Sequence, residues 1–204
     1  MKIVEQTYKI LTPLDGAEIL KHIERCGRVA YKSEDKITDD SAARFVKMLI
    51  ERGHESVLEH FSFSVLFVTD RGISHEIVRH RLASYTQEST RYCNYSSGKF
   101  NGEITVIKPT DLSGKMEFDE WKALCKRCEN VYKFLCDVEV APQIARSVLP
   151  NCLKTEIVMT ANLREWRHFL KLRTAPDAHP QMRALVNPLL NELKSAIPIV
   201  FDDI

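Results

Sequence analysis

Arg79, His80 and Arg81 stand side by side at the head of RHRLASYTQESTRY, a stretch that also carries Gln87, Glu88, Ser89, Thr90 and Arg91. A guanidinium presents several donors in a planar fork and keeps its charge at any working pH. It suits phosphate and carbonyl oxygens. The hydroxyls of Ser89 and Thr90 add donors, and the Gln87 amide both donates and accepts. Together they resemble a nucleotide-phosphate site. A basic triplet alone is more often a solvated helix end followed by a polar loop. Ser89 beside a histidine also suggests a nucleophile, but serine needs an activating base within hydrogen-bond reach. His80 is nine positions away across an expected helix end. Phosphate binding is the better reading of Ser89.

The whole chain sets the context for such a site. Its 204 residues suit one domain over 1–204, and 44% hydrophobic with 28% charged residues is ordinary for a globular protein. The formal net charge is only +1. A general nucleic-acid binder usually carries a basic excess, so an anion site here is local and its ligand small. No apolar run is long enough to span a membrane. The opening MKIVEQTYKIL mixes charges with apolar residues and does not read as a secretory signal. The six cysteines are therefore expected to be reduced, in a cytoplasm.

The elements that must position the donors are α+β with helices dominant. The first residues resemble a strand. Residues 15–30 and the run DDSAARFVKMLIERG read as helices, the second ended by Gly53. Phe61, Phe63, Val65 and Phe67 alternate with polar residues, which predicts a strand with one buried face. DRGISHEIVRHR reads as a helix carrying the start of the RHR motif, and residues 94–103 as a loop. A short strand around 104–107, a long helix from about Phe118, a strand at TEIVMTAN and two closing helices complete the pattern. In the first closing helix Asn162 can cap, and Glu165 holds the capping-box position. Leu163, Trp166, Phe169 and Leu170 form an apolar stripe there, with Arg164, Arg167, His168 and Lys171 on another face. Arg173 falls back within the stripe, where a charge needs a partner or a ligand unless the helix has ended.

Glycine-rich phosphate cradles are absent: there is no GxGxxG and no GxxxxGK[ST]. A nucleotide or flavin must be held by side chains and helix ends. Metal readings are weak. Cys125 and Cys128 have ligand-like spacing, but no second pair follows, and structural zinc wants four ligands. Their surroundings read as a helix with Leu124, Cys128, Val131 and Leu135 at helical spacing. His54 and His60 are six apart, a poor pair for one helix face, and lack the HExxH order. No metal site is expected.

The RHR-x7-S pattern of residues 79–89 resembles the signature of the flavin-dependent thymidylate synthases. GHESVLEH (53–60), ARSVLP (145–150), ANLREWRHFLKLR (161–173) and the His179-Pro180-Gln181 run resemble further segments of that family, in order. The likeness spans about residue 25 to residue 185. It implies reductive methylation of dUMP to dTMP, with methylenetetrahydrofolate giving the carbon, FAD carrying the hydride and NADPH reducing the flavin. It also implies the family's own α+β fold, helices around a small antiparallel sheet, assembled as a homotetramer whose sites lie where subunits meet.

By the same resemblance Arg79, His80 and Arg81 match flavin contacts, and Arg79 also reaches dUMP. His54, Ser56 and Glu59 match flavin-side positions, as do Asn162, Arg164, His168 and His179. Glu76, Gln87, Glu88, Ser89, Thr90 and Arg91 match the dUMP-binding run, with Gln87 also on the flavin side. Arg146 matches a further dUMP arginine, and Arg173 the catalytic arginine that activates the pyrimidine. The chain departs from the common pattern at Glu76, Gln87 and His168. None of the cysteines sits in a nucleophile motif, so the cysteine-dependent thymidylate synthases do not fit. The alternative is a non-catalytic nucleotide- or flavin-binding module. A metal-dependent hydrolase is a weaker third reading.

Overall fold

The computed structural model describes residues 1–96 and 98–204. Ser97, within the loop expected at 94–103, lies outside the described residues. The strands are β1 (Lys2–Val4), β2 (Thr7–Ile10), β3 (Ser62–Asp70), β4 (Ala83–Gln87), β5 (Thr105–Ile107) and β6 (Lys154–Asn162). The helices are α1 (Gly16–Arg28), α2 (Ser41–Glu51), α3 (Arg71–Ile77), α4 (Lys115–Asp137), α5 (Pro142–Ala145), α6 (Leu163–Arg173) and α7 (Pro180–Ala196). One sheet has the order β2-β3-β6-β4. The fold is α+β, with helices and a small antiparallel sheet. A separate pair, β1 and β5, is parallel, with Ile3 opposite Val106. No helix among the described residues is long and apolar enough to cross a membrane.

Alternation decides the two long strands. Phe63, Val65 and Phe67 are buried in β3, and Thr155, Ile157, Met159 and Ala161 in β6. A period of two puts each set on one face of its strand. At the end of β3, Asp70 caps α3 by accepting the Ile73 N–H at 2.7 Å. At the end of β6, Asn162 caps α6 by accepting the Glu165 N–H at 2.9 Å. Each long strand therefore feeds a helix whose start is fixed by its own last residue or the cap that follows from it.

The chain forms two compact units. The first comprises residues 1–7, 67–79 and 85–158; the second, residues 8–66, 80–84 and 159–204. In the first unit Tyr95, Ile104, Val106, Cys125, Tyr132, Ala145 and Leu153 form the core. Here the face of α4 differs from the one expected. Leu124 is exposed, and Cys125, Glu129 and Tyr132 point inward. The reason is polar. Glu129 is fully buried, accepts the Ile104 N–H at 3.0 Å and is paired with Lys126, and these contacts fix the rotation of the helix. Burial pushes its pKa up, but the lysine, the amino terminus and the Ile104 N–H outweigh that and hold it at about 2. All six cysteines are free thiols.

In the second unit α6 carries the centre of the core. Leu163, Trp166, Phe169 and Leu170 are buried, as expected from their spacing. Trp166 stacks on Phe63 with ring centres 4.8 Å apart and donates its indole N–H to the Phe63 carbonyl. α1 packs with α2 by a close approach at Gly27, where an added Cβ would lie 2.6 Å from the Phe45 ring. Arg167 departs from the polar face assigned to it. It is buried and paired with Glu55 at 3.0 Å and Asp203 at 2.6 Å. Ion pairing with residues distant in sequence is what admits this cation to the interior.

Candidate active site

The RHR motif does not ride on a helix. α3 stops at Ile77 with Val78 as its C-cap, so Arg79, His80 and Arg81 occupy the short connection to β4. Their environments then diverge. Arg79 and Arg81 are exposed, whereas His80 is only 5% exposed.

In the second unit His80 sits at the middle of a hydrogen-bonded chain. Its Nδ1 lies 3.3 Å from Glu165 Oε1, and its Nε2 accepts the Nε–H of Arg173 at 3.1 Å. Phe169 meets the imidazole edge-on at 4.9 Å, and His168 at 5.6 Å. Burial first, then the Arg173 and His168 charges, push the His80 pKa down to about 4. The ring is therefore neutral near pH 7. Burial likewise raises the pKa of Glu165, against the opposing pull of His168. Arg173, whose place on the apolar stripe called for a partner, has one in His80. His80, Glu165 and His168 bring one imidazole or carboxylate atom each within 4.8 Å of one another. The His80–Glu165 hydrogen bond already accounts for that grouping. With a guanidinium on the same imidazole, a divalent cation would meet like charge there.

Beside this chain lies a cleft of about 690 Å³, lined by Glu59, Leu82, Asn162, Arg164, His168, Lys171 and Ile204 among others. Four residues matched to flavin contacts, Glu59, Asn162, Arg164 and His168, thus share one cavity. A dinucleotide needs cations for its pyrophosphate and apolar walls for its ring. Arg164, Arg167 and Lys171 supply the first and Leu82 and Ile204 the second, but Glu55, Glu59, Glu165 and Asp203 line the same cleft, and Glu55, Glu59 and Asp203 pair with its two arginines. The volume is within the ordinary range for a ligand cleft, about 300–1,000 Å³. The size, the cations and the apolar walls fit a flavin dinucleotide, whereas the four carboxylates do not favour its pyrophosphate. Arg164 is held toward the cleft by Glu59 at 2.7 Å. Ser56 and His54 are exposed in and before the short helical turn of residues 55–60, and neither lines the cleft. His179 caps α7, its Nδ1 accepting the Gln181 N–H at 3.1 Å.

The first unit holds a second cavity, of about 420 Å³, with a different character. Arg71, His75, Thr90 and Arg146 line it together with Ser147 and Asn151, and no carboxylate does. Arg146 donates to Thr90 Oγ1 at 2.9 Å. Cations and hydroxyls without an acid make an anion site. Thr90 and Arg146 were expected in such a place. Arg71 and His75 were not, although their i, i+4 spacing puts them on one face of α3 and could have identified them.

The rest of the expected dUMP run is used locally. Gln87 donates to Ser74 at 2.9 Å and Thr155 at 3.2 Å. Glu88 accepts from Tyr95 at 2.8 Å and pairs with Lys154 at 3.2 Å. Ser89 Oγ accepts the Arg91 N–H at 3.3 Å and shapes the turn after β4. Arg91 itself is exposed, its guanidinium 5.5 Å from the centre of the Tyr92 ring. Glu76 is half-buried on α3.

An α+β enzyme with a flavin-sized cleft and an anion pocket is the class these features define. The family profile described as "Thymidylate synthase complementing protein" matches residues 14–199. A flavin-dependent thymidylate synthase of Geobacter sulfurreducens is 34% identical over 170 residues, covering 83% of this chain and 72% of that one. The protein of that name from Pyrococcus furiosus is 31% identical over 194 residues, covering 94% of this chain and 77% of the other. The chain belongs to the flavin-dependent thymidylate synthase family. The crystal structure of a UMP/dUMP methylase, PolB, from Streptomyces cacaoi has the same fold, with a TM-score of 0.82 over 99% of this chain and 96% of that one at 22% identity.

Proposed function

We propose that the protein converts dUMP to dTMP, with methylenetetrahydrofolate as carbon donor, FAD as hydride carrier and NADPH as reductant. The observation that carries this reading is the grouping of Glu59, Asn162, Arg164 and His168 around one cleft, next to an arginine held by a buried neutral imidazole. Bound flavin supplies the hydride that completes the methyl group. The chain's own residues do the rest. Arg164, Asn162 and His168 hold the flavin, and Arg79 and Arg81 are exposed donors for it. Arg146 and Thr90 bind the dUMP phosphate, with Arg71 adding charge and His75 a ring nitrogen. Arg173 stabilises negative charge on the pyrimidine as carbon 5 attacks the folate methylene. Family membership supports the flavin, since the relatives named above are called flavin-dependent.

The test is a titration of the purified protein with FAD, followed by fluorescence, together with an assay for dTMP. Saturable binding at micromolar flavin and dTMP that depends on added FAD are expected. Absence of both would sink the reading and favour a different ligand for the cleft.

The active form is proposed to be a homotetramer with sites shared between subunits. On α4 and its C-cap, Met116, Leu124, Phe134 and Val138 are more than half exposed. At 100° per residue they fall within about 80° of arc. Exposed Glu120 and Arg127 share that arc, and a mixed apolar and charged face of this kind suits a subunit contact. Light scattering is expected to give about four times the 23.5 kDa chain mass; a monomer with full activity would refute the assembly.

A further inference from the structure

We propose that Glu165 is the positioning residue for Arg173: its carboxylate takes the Nδ1 proton of His80, which leaves Nε2 of that imidazole as the acceptor that fixes the guanidinium. Glu165 lines the flavin-sized cleft but belongs to none of the expected site residues.

The argument is one of satisfied contacts. Arg173 Nε carries a hydrogen at any working pH, so the atom 3.1 Å from it must accept. If Nε2 of His80 were protonated, two donors would face each other. If both ring nitrogens were protonated, an imidazolium would lie against a guanidinium. Only the neutral Nδ1–H tautomer satisfies both neighbours. The neutral histidine side chain in water prefers the Nε2–H tautomer, so something must hold this one. The group at Nδ1 is Glu165 Oε1, 3.3 Å away. An ionised carboxylate can only accept, and it therefore selects the Nδ1–H form. Among the groups facing the ring are Glu165, His168 and Arg173, all from α6, and Phe169, edge-on to it. Depression of the His80 pKa to about 4 is the same preference for a neutral ring.

Glu165 is itself well placed to act as a fixed point. It is buried, and its backbone N–H is bound by the Asn162 cap at 2.9 Å. The order of cause runs from the helix cap to Glu165, to the His80 tautomer, to the plane of the Arg173 guanidinium. Arg173 is the last residue of α6 and half-buried. His80 Nε2 is the acceptor that holds its Nε–H. The consequence for turnover rests on the proposed role of Arg173; the tautomer does not.

The test separates the two. Protein labelled with ¹⁵N-histidine is examined without ligands at pH 7, and the His80 signals are identified by their loss in His80→Asn. The wild type is expected to show the Nδ1–H tautomer. Glu165→Gln, whose amide oxygen can still accept, should keep it. Glu165→Met, of similar length and good helix propensity, should lose it, with thermal unfolding confirming the fold. Glu165→Ala takes its place if the methionine variant does not fold. In the dTMP assay Glu165→Met should lower kcat about 10–100-fold, the usual cost of losing a group that orients a functional residue, with KM for dUMP changed much less. Glu165→Gln should recover most of that. An Nε2–H or doubly protonated His80 in the wild type overturns the proposal, as does a Glu165→Met or Glu165→Ala protein that keeps the Nδ1–H form. A wild-type protein that makes no dTMP would instead sink the proposed function and leave the tautomer to be judged on its spectrum.

Discussion

Replacing Arg173 by alanine should cut dTMP formation about a hundred- to a thousandfold, while NADPH-driven reduction of the flavin survives. Carbon 5 of uracil is a poor nucleophile. It attacks the folate methylene only if negative charge builds at N3 and the adjacent oxygens. A fixed guanidinium stabilises that charge. At an effective dielectric of about 20, unit charges about 4 Å apart interact by about 4 kcal/mol. Arg173 is half-buried and anchored through Nε to His80 at 3.1 Å, so little reorganisation is needed when the charge appears. Arg173→Lys should rescue only part. A point charge does not reproduce the planar fork, and it lacks the Nε–H that meets His80. The two half-reactions are measured separately in both variants. If Arg173→Ala forms dTMP within a few-fold of the wild type at saturating dUMP, the role assigned to Arg173 is wrong.

Much of the fold around this residue was legible in the sequence because it depends on local rules. The alternation of Phe63, Val65 and Phe67, the Asn162 cap and the stripe Leu163, Trp166, Phe169 and Leu170 are all set by period and capping, and the structure has each of them. The failures share a different cause. Arg167 reads as a polar-face residue until Glu55 and Asp203 are brought to it from more than thirty residues away on either side. The inward face of α4 reads as Leu124 and Cys128 until Glu129 finds the Ile104 N–H. The end of α3 before the RHR motif was missed because nothing at Val78 is a helix breaker, and β4 follows within a few residues.

The candidate site divides along the same line. The resemblance pointed to Arg164 and His168 as flavin contacts and to Arg173 as the catalytic arginine, and in the second unit the first two line the cleft while Arg173 meets His80. Residues that orient these groups carry no sequence signal of their own. Glu165 reads as a capping-box glutamate, and only the fold turns its carboxylate to His80. Arg71 and His75 read as ordinary helix residues until Arg146 and Thr90 join them around one cavity. A partner distant in the chain decides each of these, and a single sequence does not encode which distant residue will arrive.

That anion cavity carries the last expectation. Arg146→Ala should weaken dUMP binding about 10–100-fold, because charge-assisted hydrogen bonds to a phosphate are worth about 1.5–3 kcal/mol each. Arg146 lines the cavity with Arg71 and His75, and the lining holds no carboxylate to offset the two guanidinium charges. It is exposed, so its attraction is open to screening, and wild-type affinity should fall as salt rises while the variant responds less. FAD binding should be unchanged, since Arg146 is not among the residues that line the flavin-sized cleft. Deoxyuridine, which lacks the phosphate, is the decisive control. If Arg146 recognises phosphate, wild type and variant should bind the nucleoside alike and differ only for the nucleotide. Binding of both ligands is measured by calorimetry at two salt concentrations. An equal loss for deoxyuridine and dUMP would show that the substitution disturbs the unit as a whole. A dUMP affinity within twofold of the wild type would remove Arg146 from the phosphate site.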